Sequence, residues 1–425
     1  MWNEYREAAR NFSRPARHYL LGELLAWTGH GVFQVLFNLY LLEAGFQAAF
    51  IGRAISLHGV GMAVAALPAG VLADRWGRRR TLILGALLDG IGMAMRCNLL
   101  DPGVILGAGF VSGAGQALLA IAAAPFLTEH STPRERTHLF SAFFANSLIA
   151  GVFGSLIGGW LPRALAEMPH GFRPDPLHAF RITLSLAAAL GLCAALPLLR
   201  LGALREPALE HAREPVPPGA ARLLAPIALN SFLIGVGAGL VIPFMNLYFA
   251  TRFRCSSAQI GLFFSIAQIC TAGAALLGPA VARRFGKLRT ATASELLSLP
   301  FLITLGAERR LSVAVGAFWI RASLMQASTP LIQAFVMEAL PPVLRARSTS
   351  LNNMVWNAGW AVSATLAGVV IQRFGYAVPF YITAVMYFCA AASFYLAFRK
   401  MPEGGATAGA KSPEAALIAP DPTPD

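Results

Sequence analysis

The chain has 425 residues, 56 % of them hydrophobic and only 13 % charged, with a mean hydropathy of +0.58. A soluble chain of ordinary composition carries about 25 % charge, so the composition excludes a soluble globular protein and points to a polytopic membrane protein. The formal charge of +13 would suggest a nucleic-acid partner in a soluble chain, but here the basic residues collect in short loops between apolar runs, and no nucleic acid is expected.

A bilayer-crossing helix needs about 20 mostly apolar residues. Twelve such runs follow one another near 18–42, 50–73, 81–99, 103–128, 138–161, 179–199, 223–250, 257–282, 290–306, 311–338, 349–371 and 377–398. The ninth is the shortest. The first 17 residues carry Arg6, Arg10, Arg14 and Arg17 ahead of a full-length apolar run, so a retained cytoplasmic segment is expected rather than a cleaved signal peptide. Segment 163–178, with Pro169, Pro174 and Pro176, reads as a longer external loop. Segment 200–222, with four prolines among alternating charges, reads as a central cytoplasmic linker. Residues 401–425 are rich in Pro, Ala, Gly and acid, a composition that predicts disorder. The expected domains are thus a bundle over 18–199 and a second over 223–400. With the N-terminus inside, 23 of the 34 Lys and Arg lie on the inner side, which by the positive-inside rule places both termini in the cytoplasm.

The two bundles repeat. Asn38-Leu39-Tyr40 returns as Asn246-Leu247-Tyr248, Ile51-Gly52 as Ile260-Gly261, Ala73 to Thr81 as Ala282 to Thr290, Glu129 as Glu338, and Arg134-x-Arg136 as Arg345-x-Arg347. The offsets run 208, 209, 209, 209 and 211, rising in order, as they do when one fold is present twice. An even number of spans per copy makes the repeats parallel, related by an axis along the membrane normal. The fold class is therefore an all-α membrane protein of twelve transmembrane helices in two parallel-related six-helix bundles.

The densest charge cluster lies between the second and third spans. Residues Asp74 to Arg80 hold five charges, four of them arginine, with Gly77 suited to a turn of unusual backbone angle. Gly70-x-x-x-Asp74-Arg75-x-Gly77-Arg78-Arg79 resembles the loop 2–3 signature of the major facilitator superfamily. That resemblance, extended by the repeats to about 18–400, implies a transporter that works by alternating access, with this loop packing against the other half to stabilise the outward-open state and Asp74 as its gate acid. The second copy has Arg283 in place of Asp74. Glu129 and Glu338, near Arg134, Arg136, Arg345 and Arg347, are expected as supporting charges; simple loop-anchoring pairs are the alternative.

Polar groups at bilayer depth are costly and face a bundle interior or a cavity. In span 1, Glu23, Trp27, His30, Gln34 and Asn38 fall within about 80° of one another on a helix, a stripe read either as a substrate or proton path, with His30 able to change charge near neutral pH, or as a hydrogen-bond ladder between helices. In span 11, Asn353, Trp356, Asn357 and Trp360 form a second stripe suited to an amphipathic ligand or to packing. Span 10 carries Gln326 and Gln333, with Arg321 on another face as a partner for another helix or an anion-binding group. Gln116, Asn146, Asn230 and Gln268 complete the candidate cavity set. Asp89, in the middle of span 3, is too far from Arg96 on the same helix to pair with it, and is either structural or, with Glu23 and His30, a proton-coupling candidate.

Two family patterns are absent. The Arg-x-x-Gln-Gly of proton-coupled members is here Gly113-Ala114-Gly115-Gln116-Ala117, and the Gly-Pro-x-x-Gly-Gly of drug exporters is Gly154-Ser155-Leu156-Ile157-Gly158-Gly159. Both count against a standard drug–proton antiporter without excluding coupling through His30, Glu23 or Asp89. The five scattered cysteines lack metal or redox spacing. No phosphate-cradling Gly-rich loop and no nucleophile–base pair appears, so neither cofactor nor metal nor enzymatic activity is expected. The expected function is secondary transport of a small organic solute, proton-coupled, by a monomer in a bacterial inner membrane, with efflux favoured over uptake. The alternatives are import of an anionic metabolite on Arg321 and a non-transporting receptor or scaffold of the same fold.

Overall fold

The computed structural model describes residues 12–169, 174–201 and 220–401. Most of the expected N-terminal segment, the middle of the 163–178 loop, the body of the 200–222 linker and the tail beyond Met401 lie outside the described residues. All twelve expected spans are helices: α1 Arg14–Glu43, α2 Ala48–Trp76, α3 Arg78–Asn98, α4 Pro102–Glu129, α5 Pro133–Ala166, α6 Pro176–Leu199, α7 Ala220–Phe253, α8 Ser257–Phe285, α9 Lys287–Ala307, α10 Leu311–Ala339, α11 Pro342–Phe374 and α12 Ala377–Phe398. Two are interrupted: α6 breaks at Ala194, and α7 tightens into a 3-10 turn at Ile242–Phe244, around Pro243.

Ten of these helices are long and apolar enough to cross a membrane. The other two are α3 and α10, not the short α9. The reason is chemical: α3 carries Arg78 to Arg80, Asp89 and Arg96, while α10 carries Arg321 and two glutamines. Neighbouring helices bury the charges at Asp89, Arg96 and Arg321.

The repeat is visible in matching contacts. The Tyr40 hydroxyl donates to the Cys97 carbonyl at 2.6 Å, and the Tyr248 hydroxyl to the Leu305 carbonyl at 2.6 Å. Gly77 and Gly286 end α2 and α8 with φ of 89° in both, a conformation that L side chains rarely adopt. Gly77→Ala is expected to destabilise the fold by about 1–3 kcal/mol, read as a lower midpoint of thermal denaturation in detergent. At the α9–α10 turn, the backbone N–H groups of Arg310 and Arg309 donate to the Glu308 carboxylate and hold it below the usual carboxylate range.

The contacts seen between described residues of the two halves gather at one end. Gly52 of α2 packs on Ala364 and Gly368 of α11; Gly159 of α5 packs on Ser257 and Gly261 of α8. Between them, Asn38 donates to the Asn246 side-chain oxygen at 3.1 Å and to the Pro243 carbonyl at 2.6 Å, while Asn246 donates to the carbonyls of Gln34 and Val35 at 3.1 and 2.9 Å. Ser56 donates to the Ala361 carbonyl, Ser257 to that of Gly159 at 3.0 Å, Ser265 to that of Val152 at 3.2 Å, and Gln372 to Gln47. These hydrogen bonds, with that from the Ala49 backbone N–H to the Gln372 side-chain oxygen at 3.3 Å, lie away from the arginine-rich loop. The apolar core divides the same way. One buried cluster spans both halves here, including Leu36, Tyr40, Tyr248 and Phe249. Toward the loop each half closes on a core of its own, around Leu82 and Phe126 in the first and around Leu288 and Phe394 in the second. Leu67 and Leu276, equivalent positions in the loop-side parts of α2 and α8, are each 80 % exposed.

Candidate functional site

The unbroken α1 does bring its five polar residues onto one face, but the face divides along its length. Asn38 is buried in the contact between the halves, bonded to Asn246 and to the Pro243 carbonyl. Gln34, one turn earlier, is exposed. Trp27 is 42 % exposed, with its ring 5.8 Å from that of His30. Glu23 is buried and accepts a hydrogen bond from Asn146 of α5, which also donates to the Leu20 carbonyl at 2.9 Å. Glu23, Trp27, His30 and Gln116 share the wall of a cavity of about 190 Å³ with Tyr19 and Phe143.

Behind that wall lies the connection sequence spacing missed. Asp89 reaches from α3 to α1, where its carboxylate meets His30 Nε2 at 2.8 Å, and Ser112 of α4 donates to its other oxygen at 2.7 Å. His30 and Asp89 are separated by 59 residues in sequence, so no single-helix wheel joins them. Asp89 is 1 % exposed; a carboxylate at that depth requires such partners. Arg96 does not pair with it directly and stacks instead on the Phe37 ring, 4.0 Å away. His58 of α2 sits 3.1 Å from the Gln116 side-chain oxygen. Four helices thus contribute to one polar cluster inside the first half.

The second half differs. Arg321 is buried and donates to the Tyr387 hydroxyl of α12 at 3.2 Å. It partners another helix, one of the two roles that its depth in the membrane allowed. Asn230 is likewise turned inward, donating to the Ala390 carbonyl at 3.2 Å. Gln326 and Gln333 are exposed on the other face of α10. In α11, the Trp356 and Trp360 rings lie 5.0 Å apart, the backbone at these two positions packs on Gly235 and Gly239 of α7, and Asn357 donates to the Asn353 carbonyl within the helix. The neighbouring Asn352, which the stripe did not include, accepts from Ser231. Gln268 lies against Gly151 across the contact between the halves.

At the loop, the pairing also differs from expectation. Glu129 forms its ion pair with Arg78, and Glu338 with Lys287. These are equivalent pairs, joining the first residue of α3 to the end of α4 and the first residue of α9 to the end of α10. Their cations come from the helix start after the glycine turn, not from the basic residues downstream. Arg136 instead donates to Ser131 and to the Thr128 carbonyl, and Arg345 to the Leu340 carbonyl. Arg347 is half-buried, and the side chain of Arg134 lies outside the described residues. Arg79 donates to the Leu199 carbonyl at 2.5 Å. Asp74 and Arg75 are exposed, and Asp74 has no partner among the described residues. Gly70 has open space around it.

This architecture has known counterparts. Solved structures with the same fold include a bacterial homologue of the human lysosomal transporter Spinster in an inward-facing, occupied conformation (TM-score 0.74, 16 % identity, 90 % of this chain and 96 % of that one). The nucleoside transporter NupG matches with TM-score 0.72 and 16 % identity over 91 % of this chain and 100 % of its own. A D-xylose–proton symporter matches with TM-score 0.69 and 16 % identity over 92 % and 98 %. In sequence, the multidrug resistance protein MdtH of Enterobacter sp. (strain 638) is 27 % identical over 195 residues, 46 % of this chain and 44 % of that protein. The MdtH of Yersinia enterocolitica is 27 % identical over 143 residues, 33 % and 36 %. The match therefore spans less than half the length of these relatives. The family model described as Major Facilitator Superfamily matches twice in tandem, over residues 19–226 and 227–421. With one bundle for each match, the chain belongs to the Major Facilitator Superfamily of membrane transporters.

Proposed function

We propose that the chain is a proton-coupled secondary transporter that exports an amphipathic organic solute by alternating access. One observation carries this reading: the contacts seen between described residues of the halves gather at one end, and toward the other each half closes on a core of its own. Such a structure is one of the two states that a rocking pair of bundles needs. With both termini and the arginine-rich loop in the cytoplasm, as the charge bias supports, the state described is inward-open. The two six-helix bundles, 18–199 and 223–400, are the moving bodies, and the chain works as a monomer in a bacterial inner membrane.

His30 and Asp89 are the proposed proton-coupling pair, because they are the titratable pair that lies directly behind the cavity wall. The solute faces Trp27, Gln34, Gln116, Gln326, Gln333 and the tryptophan stripe of α11. Export is supported by that aromatic and amide lining and by the multidrug resistance proteins among the relatives. Arg321, engaged by Tyr387, gives the anion-import alternative no support. Asp74 has no partner among the described residues, which suits a gate acid that engages only when the loop end closes. Asp74→Asn is then expected to leave the stability of this state within about 0.5 kcal/mol while slowing transport. Equal transport by variant and wild type would remove Asp74 from the gate. The reading as a whole is tested in proteoliposomes under an imposed pH gradient, with a panel of labelled solutes and internal pH recorded together. Solute movement with matching proton flux is the expected result; movement without proton flux would overturn the coupling, and no movement of any solute by folded protein would overturn the function.

A further inference from the structure

At the end away from the arginine-rich loop, the α1–α2 turn and the first turns of α2 and α4 enclose a cleft of about 490 Å³, within the roughly 300–1,000 Å³ of small-ligand sites. Phe46 and Phe50 stand on its wall with their rings stacked 4.4 Å apart, and Leu106 adds an apolar contact from α4. The wall is tied down where Gln47 and the Ala49 N–H bond Gln372 of α11. Arg53 is the charged residue on it, and no acid lines it. The Arg53 guanidinium lies 5.6 Å from the centroid of the Phe50 ring, is exposed, and has no hydrogen-bond or ion-pair partner among the described residues. Asp101, beside the cleft in sequence, accepts instead from the Val104 N–H at 2.9 Å. The fold does not require the arginine, because the repeat puts Leu262 at the equivalent place after Ile260-Gly261. Depth is informative as well. The 29 residues of α2 span about 43 Å, close to the roughly 40–45 Å of a bilayer with its headgroups. Arg53 follows the start of α2 by about 7.5 Å of helical rise, which puts it where headgroups meet hydrocarbon. An arginine at that level lays its stem along apolar surface and carries its charge toward the headgroups, and a guanidinium matches phosphate oxygens two at a time.

We infer that this cleft is a phospholipid site: Arg53 holds the phosphate of a lipid from the leaflet away from the arginine-rich loop, and the top of its acyl chains lies against Phe46, Phe50 and Leu106. A soluble anion would satisfy the charge and leave the apolar and aromatic wall without an occupant, whereas an anion that carries hydrocarbon covers both. The site belongs to the first half alone, since Leu262 offers a phosphate nothing at the equivalent place. Neither the proposed solute lining nor the His30–Asp89 pair contributes to it, so the inference goes beyond the transport reading and does not rest on it.

The probe is phosphatidylglycerol with a photoactivatable diazirine near the top of one acyl chain, present in trace in phosphatidylcholine vesicles that hold the full chain. A diacylglycerol with the same diazirine is its phosphate-free counterpart. After illumination, the adducts are mapped by peptide mass spectrometry. Wild type is expected to carry phosphatidylglycerol adducts within 45–53 and 102–106, about tenfold above those of the diacylglycerol, as one charge-assisted contact implies. Arg53→Gln is expected to erase that excess and Arg53→Lys to keep part of it, while adducts around the arginine-rich loop stay at the wild-type level in both and report that the protein is folded and inserted. Arg373→Gln, at an exposed arginine of α11 near the same end, is expected to change nothing at the cleft. Equal labelling of the cleft by the two lipids in wild type overturns the inference without any variant. An excess that survives Arg53→Gln overturns it too, as does an equal loss in Arg373→Gln, which would mean surface charge in general. Suppression of the excess by soluble glycerophosphoglycerol, at the concentration of the probe, would give the cleft to a free anion and overturn the lipid.

Discussion

Gly261→Leu is expected to prevent the end away from the arginine-rich loop from closing and to lower transport by roughly two orders of magnitude. At position 261 an added Cβ would lie 2.4 Å from the Ser155 carbonyl oxygen and 2.8 Å from Gly159 Cα. Both are backbone atoms of the other half and neither can rotate away. Overpacking of this kind costs about 1–3 kcal/mol for extra methylenes in a core, and more against fixed backbone. Moving a two-state equilibrium from 1:99 to 99:1 takes about 5.5 kcal/mol, so a large side chain at this contact is enough to empty the state described here. The fold survives, because the opposite state separates α5 from α8 and relieves the clash. The check is the sidedness of labelling at Gln34→Cys, in a background without other cysteines, by a membrane-impermeant maleimide. Labelling from the far side is expected to rise and labelling from the loop side to fall. Lost transport with unchanged sidedness would mean that the Gly159–Gly261 contact is packing alone and not a gate.

Asp89→Asn is expected to uncouple the proposed proton-driven transport. The substitution removes the charge that faces His30 Nε2 at 2.8 Å and keeps an oxygen for the Ser112 hydroxyl. Accumulation driven by a pH gradient is expected to collapse to simple equilibration, with exchange of solute across the membrane retained. Taking one partner from a buried charged pair costs about 3–5 kcal/mol, so the variant should also be measurably less stable. Combining it with His30→Gln is expected to recover part of that loss by restoring a neutral hydrogen-bonded pair, without recovering accumulation. Stability and coupling thus part company in the double variant, which a purely structural role for the pair does not predict. Undiminished proton flux in Asp89→Asn would take the pair out of the coupling scheme.

The fold was legible because membrane helices answer to one local rule, apolar length, and because the repeat reported itself through Asn38 and Asn246, Gly77 and Gly286, and Glu129 and Glu338. The candidate site was legible only helix by helix. The stripe on α1 was correct as a face, yet spacing on one helix carried no information on what stood opposite it. His30 found a partner 59 positions away, Arg321 turned to Tyr387, and Asn230 to α12. For Asn38 the signal was present: its recurrence at the equivalent place in the second copy marks a residue near the axis between the halves, and Asn246 could have been read as its partner. For Glu129, the ion pair with Arg78 was hidden because helix ends far apart in sequence are brought together by packing, whereas Arg134 and Arg136 are close only along the chain.

The pairing of Asn38 with Asn246 puts the same residue of both copies on opposite sides of one hydrogen bond. A contact in which a position meets its own equivalent is what a two-fold dimer makes with itself. The two bundles are covalently one chain, but at this point they meet as like protomers do, on a self-complementary surface. Each copy is then half of the template for the other: an amide, which both donates and accepts, serves on either side, whereas a residue that only donates or only accepts would need an unlike partner across the axis. The closed end thus holds one residue type at both equivalent positions, 38 and 246, where the polar clusters of the two halves differ.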